Sequence, residues 1–167
     1  MTEQPLPLMT FYRGWETYQH SLVETTAPLS STQLALPVAP HHWSIGMVLT
    51  HMIGSRVFWF QRWLGEGDPG LVHWDEDQQA VHTPAELVAG LEESWHLIAD
   101  ALARWTPADL GQLFPTPAFL SEEERQFFPP QTRQWIIWHV LEHEIHHGGE
   151  LSLALGGIGL QGVYGNA

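Results

Sequence analysis

Apolar residues recur at spacings of three and four in four separate stretches of this chain. Leu8, Phe11, Tyr12, Trp15, Tyr18 and Leu22 mark the first, which predicts a helix from about Leu8 to Ala27, ended by Pro28. After a loop rich in Pro, Ser and Ala, Ser44 is placed to cap a second helix running to about Leu64. Gly65, Gly67, Pro69 and Gly70 then break it. The third helix has the clearest start: Thr83-Pro84-Ala85-Glu86 is a capping box with proline at the first helical position. Leu87, Leu91, Trp95, Ile98, Leu102 and Trp105 follow as one stripe, and Thr106-Pro107 ends it. The last helix is expected from near Thr132 to Leu155, with Gly156-Gly157 as its stop.

No alternating β pattern, internal repeat or low-complexity tract interrupts this scheme. The pattern predicts an all-α fold, a four-helix bundle with long crossover connections, built as a single domain over residues 1–167. The stretch between the third and last helices, about 25 residues, is too long for a passive turn. Ser121-Glu122-Glu123-Glu124 is placed to cap a short helix inside it.

The last helix also carries a second pattern. Of the eleven histidines in the chain, His139, His143, His146 and His147 fall within nine residues. At about 100° per residue, His143 and His147 lie one turn apart on nearly the same line, so their imidazoles can converge on one metal ion. His139 continues the row a turn earlier and Glu150 extends it beyond. Ile137, Leu141, Ile145 and Leu155 lie elsewhere on the wheel and are expected to pack the core. An i,i+4 pair alone is a weak motif, and hydrogen-bonded histidines on a wet face would look the same. His143-Glu144-Ile145-His146-His147 also fits HExxH literally, but only glycine-rich sequence follows where a metalloprotease takes a further ligand.

Composition narrows the chemistry. The chain has no cysteine, which excludes disulfides, thiolate-ligated zinc and a cysteine nucleophile. Six Lys and Arg against nineteen Asp and Glu give a formal net charge of -13, which argues against nucleic acid and anionic membranes as partners. The most apolar stretch, residues 45–64, is interrupted by His51, Arg56, Gln61 and Arg62, so it does not read as a membrane span. With no basic start followed by an apolar run, a cytoplasmic location is expected.

Trp43-Ser44-Ile45-Gly46 followed by His51, together with Trp135 to Leu151 (WIIWHVLEHEIHHGGEL), resembles the DinB/YfiT-like superfamily of four-helix-bundle metalloenzymes. The resemblance extends over nearly the whole chain. It implies a metal triad of one histidine from the second helix and two from the last, here His51, His143 and His147. Periodicity alone would not have chosen His51. Members often carry Arg-Gly-Gln after the final histidine, where this chain has Gly148-Gly149-Glu150. The change removes a positive charge and makes Glu150 a candidate catalytic general base, or a partner that holds a ligand histidine.

Three neutral imidazoles leave a coordination position open, as in catalytic sites. They suit zinc or nickel, with iron and copper as further candidates. Some relatives in the superfamily act with low-molecular-weight thiols. Because this chain has no cysteine, any thiol must arrive as a cosubstrate, and a small molecule would be the substrate. Transfer or isomerisation with an external thiol is therefore the leading expectation. Metal-assisted hydrolysis and a non-catalytic binding role remain beside it. Family members often dimerise, so a homodimer is expected.

The remaining residues receive plainer readings. His20, His41, His42, His73, His82 and His96 read as surface or cap residues, and His139 as a pocket-lining candidate. Trp59, Trp63, Trp95, Trp135 and Trp138 read as core, with a cleft wall as the alternative. Arg56, amid apolar neighbours, is expected to pair with a buried acid, with an anionic substrate as the less common alternative.

Overall fold

The computed structural model describes residues 5–165; the first four and last two residues of the expected domain lie outside it. Four long helices form its frame: α1 (Arg13–Thr26), α2 (Ile45–Arg56), α3 (Pro84–Arg104) and α4 (Arg133–Gly157). They share one apolar core that includes Leu22, Met52, Ile53, Phe60, Leu91, Ile98, Ile136 and Leu151.

The helix starts follow the expected caps. Ser44 Oγ accepts the Met47 amide at 3.2 Å, Thr132 Oγ1 accepts that of Trp135, and Thr83 and Glu86 form a reciprocal box. Each such cap contributes about 1 kcal/mol. The first helix is shorter than its apolar pattern. Leu8–Thr10 is a separate 3-10 turn, held to the end of α3 by the Leu8 amide donating to Trp105 O at 2.7 Å, and α1 begins only after Phe11 and Tyr12.

The second helix changes pitch midway. Past Arg56 it continues as a π-helical segment, Val57–Trp63, in which the Leu64 amide reaches back to Trp59 O. The wider turn buries Val57, Trp59, Phe60 and Trp63 together. A strictly 3.6-residue repeat would have spread them around the helix.

The crossings carry structure of their own. Ser31–Leu34 forms a capped turn between α1 and α2, and Pro69–Val72 and His73–Glu76 form two turns between α2 and α3. The 106–131 connection contains the expected helix, Glu122–Phe127, capped by Ser121. It also contains what the pattern did not predict, a two-residue strand β1 (Leu113–Phe114) paired antiparallel with β2 (Gln131–Thr132). Pairs this short show no alternation along the chain.

The buried face of α4 runs through Ile137, Val140, Glu144, His147, Gly148, Leu151 and Leu155. Leu141 is partly buried and packs against the core as expected, but Ile145 is half exposed, contrary to the expectation that it packs there too. The reason lies at Glu144, whose carboxylate is fully buried because the bundle satisfies it. Arg56 Nε donates to Glu144 Oε1 at 2.5 Å and Arg56 Nη2 to Oε2 at 3.0 Å, while Trp15 Nε1 donates to Oε2 at 2.8 Å. Arg56 Nη1 also donates to Leu91 O. With Glu144 turned inward, Ile145 is turned out.

Candidate metal centre

α2 and α4 pack side by side, and where they cross they bring three histidines together. His51 Nε2 and His143 Nε2 are 2.9 Å apart, and the ligand nitrogens of His51, His143 and His147 all lie within 4.8 Å of one another. His143 and His147 meet because they are one helical turn apart. His51 reaches them because the Ser44 cap sets the start of α2, placing His51 two turns along it.

Two of the rings are held from behind. His51 Nδ1 lies 2.8 Å from Gln78 Oε1, and His147 Nδ1 lies 2.7 Å from Glu150 Oε2. An amide oxygen and a carboxylate oxygen are acceptors, so in both rings the proton sits on Nδ1 and the lone pair on Nε2. Metal-ligating histidines are oriented in this way. The third ring, His143, has its Nδ1 buried without a hydrogen-bond partner.

The electrostatics hold the His143 and His147 rings neutral. Burial, followed by the neighbouring His147 and His51, pushes the His143 imidazole down to about 3. His147 is also lowered, chiefly by burial, although its bond to Glu150 works the other way. Burial acts to raise the Glu150 carboxyl, but the hydrogen bond to His147 and the nearby His147, His146 and His42 outweigh it and leave it below its ordinary value. Closely spaced imidazoles cannot all be charged, and neutral imidazole is the ligand form. The donor set therefore fits a borderline divalent ion such as zinc or nickel.

Two of the three histidines border a cavity of about 300 Å³, walled by His51 and Ser55 of α2, Phe58 and Trp59 of the π segment, and His139 and His143 of α4. The crossings close it with Asp75, Gln78, Leu120, Glu124 and Phe128. Its size is at the lower end of small-molecule sites. His139 stacks on Trp135, with ring centroids 4.6 Å apart, and meets the edge of Trp59. Burial lowers its pKa, so it too is neutral at pH 7. A larger cavity of about 680 Å³ lies between α1 and the C-terminal tail, but no histidine lines it.

Each sequence-predicted residue now has a place. His51, His143 and His147 converge, and His139 lines the pocket beside them. Glu150 stands behind His147 and is not among the cavity's lining residues. Trp59 is both core and cavity wall, Trp63 and Trp95 are core, and Trp138 is exposed. Glu144, the glutamate of the apparent HExxH, is committed to Arg56 in the core, which removes the metalloprotease reading. Arg56 has the buried acid partner expected of it. Gln78 was not anticipated. It sits in a loop with no periodic pattern, and nothing in the sequence marks it as a partner of a residue 27 positions earlier.

At Gly148 a Cβ would come within 2.2 Å of the Tyr18 hydroxyl, which donates to Glu144 O at 2.5 Å. α1 packs where a larger side chain would have to stand.

No curated protein matches this sequence. Among solved structures, a DinB-like protein from Bacillus cereus ATCC 10987 is similar over 95% of this chain and 97% of that one, with a TM-score of 0.71 and 19% identity. At that identity the likeness concerns the fold. The family model of the DinB superfamily matches residues 15–151, from the core tryptophan of α1 to Leu151 of α4. That span contains all three converging histidines, and the chain belongs to the DinB superfamily.

Proposed function

We propose that His51, His143 and His147 hold a divalent metal ion, zinc or nickel, and that the protein is a metal-dependent enzyme acting on a small molecule with an external thiol. The observation that carries this reading is the convergence of three imidazoles, two with Nδ1 engaged behind them, beside a cavity. When bound, such an ion acts as a Lewis acid that lowers the pKa of an incoming thiol and supplies a nucleophile at neutral pH.

The chain's own residues provide the rest. Gln78 and Glu150 fix the tautomers of His51 and His147, so Glu150 serves as a positioning residue acting through His147. His139, neutral and on the cavity wall, accepts the proton that the thiol gives up. Phe58, Trp59 and Phe128 exclude water around the reacting groups. A chain without cysteine cannot supply the thiol itself.

The test is a panel of low-molecular-weight thiols with an electrophilic bimane acceptor, using protein loaded with zinc or nickel. Conjugation by the wild type above that of the His143→Ala, His147→Ala variant is expected. Equal rates would overturn the transferase reading, and turnover of ester substrates without thiol would replace it with hydrolysis.

The same reading includes a homodimer. Phe11, Trp138, Ile145 and Tyr164 are each at least half exposed, and Phe11, Leu141, Ile145 and Tyr164 border an apolar cavity between α1 and α4. Light scattering should give about twice the chain mass of 18.9 kDa. Ile145→Asp should shift the protein towards monomer, whereas a wild type that stays at chain mass throughout would refute the dimer. Among the described residues, no helix is long and apolar enough to cross a membrane.

A further inference from the structure

His146, His147 and Glu150 form a second group whose ligand atoms also lie within 4.8 Å of one another. It shares His147 with the triad, yet it faces the other way. The His146 side chain is 67% exposed and Glu150 28%, while His147 is only 11% exposed. His146 Nε2 is 3.4 Å from Glu150 Oε1, and His147 Nδ1 is 2.7 Å from Glu150 Oε2, so one carboxylate ties both rings together.

The shared residue is the informative one. His147 presents Nδ1 to the outer group and leaves Nε2 for the triad. A neutral imidazole has one lone pair, so it can serve one group at a time. We infer that His146, Glu150 and the Nδ1 edge of His147 form an outer, weaker site for a divalent cation, from which the ion passes to the triad. The inference rests on the triad being a metal site.

The two groups differ as an entry point and a destination should. The outer one combines a carboxylate with imidazoles at the surface, where a hydrated cation arrives first. The inner one is all nitrogen and more enclosed. With an ion in the outer group, the His147 proton resides on Nε2. With an ion in the triad, it resides on Nδ1 and is donated to Glu150. Glu150 thus ligates in one state and holds the ring in the other. Because His147 cannot serve both, saturation remains at one ion per chain.

Stopped-flow mixing with Ni²⁺, followed by tryptophan quenching, reads the rate of loading; Trp43 lies 4.9 Å from His51 and reports on the inner group. His146→Ala, a surface change, is expected to slow loading about tenfold while leaving the final affinity within about twofold, since a ligand used only in transit affects the rate and not the end state. In the His51→Ala, His143→Ala variant, a residual Ni²⁺ site should persist about 100-fold weaker than the wild type, and adding His146→Ala should abolish it. An unchanged loading rate in His146→Ala, or residual binding indifferent to His146, overturns the outer site while leaving the triad intact. A wild-type chain that takes up no Ni²⁺ instead overturns the triad reading itself.

Discussion

Two polar clusters lie next to each other between α2 and α4, and they are built on opposite plans. In one, Arg56 and Glu144 are completely buried, and every charged group has partners: Trp15, Leu91 O and Ser94 surround the pair. In the other, one residue away along α4, His143 has a buried nitrogen without a partner and its other nitrogen faces His51. The first cluster is closed and joins all four helices. The second borders a cavity. A fully satisfied polar network specifies a structure, whereas imidazole nitrogens converging beside a cavity are arranged for something that binds.

The largest effect should come from breaking the closed cluster. Glu144→Ala leaves Arg56 charged and unpaired in the core, and unfolding in urea should reveal a loss of about 3–5 kcal/mol. A loss below 1 kcal/mol would mean that the pair is not the tie described. The residues behind the triad should matter less, and for binding more than for folding. Gln78→Ala and Glu150→Gln should each weaken zinc affinity about 10- to 100-fold, measured by competition with a chromophoric chelator, with little change in melting temperature.

The smallest effect is a pH dependence of the metal-free protein. His143 is held at about 3, against an ordinary value of 6.5, so between those values the unfolded chain binds a proton that the folded one does not. Stability must therefore rise with pH through that window and level off above it. Metal-free wild type should lose melting temperature between pH 7 and pH 5, and His143→Gln should lose less. Equal losses would place the acid sensitivity elsewhere.

The two clusters also differ in how visible they are in sequence. Helix starts at Ser44, Thr83, Ser121 and Thr132 are local chemistry and could be read directly. The i,i+4 pair His143 and His147 is local too. His51 required a resemblance to related sequences, because a lone histidine on a helix that is apolar nearly all round gives no periodic signal. Glu144 was misleading, because beside His143 it looked like part of HExxH. Its burial is decided by Arg56, 88 positions away, and it carries Ile145 out to solvent with it. Gln78 and the β1–β2 pair depend likewise on contacts that only the folded chain makes.

The most direct test of the central claim is metal content. After incubation with zinc or nickel and removal of the excess, mass spectrometry of the intact wild-type protein should find about one ion per chain, and His143→Ala, His147→Ala less than about 0.1. Wild type and variant retaining the same amount, or wild type retaining none, would contradict the assignment of His51, His143 and His147 as a metal site.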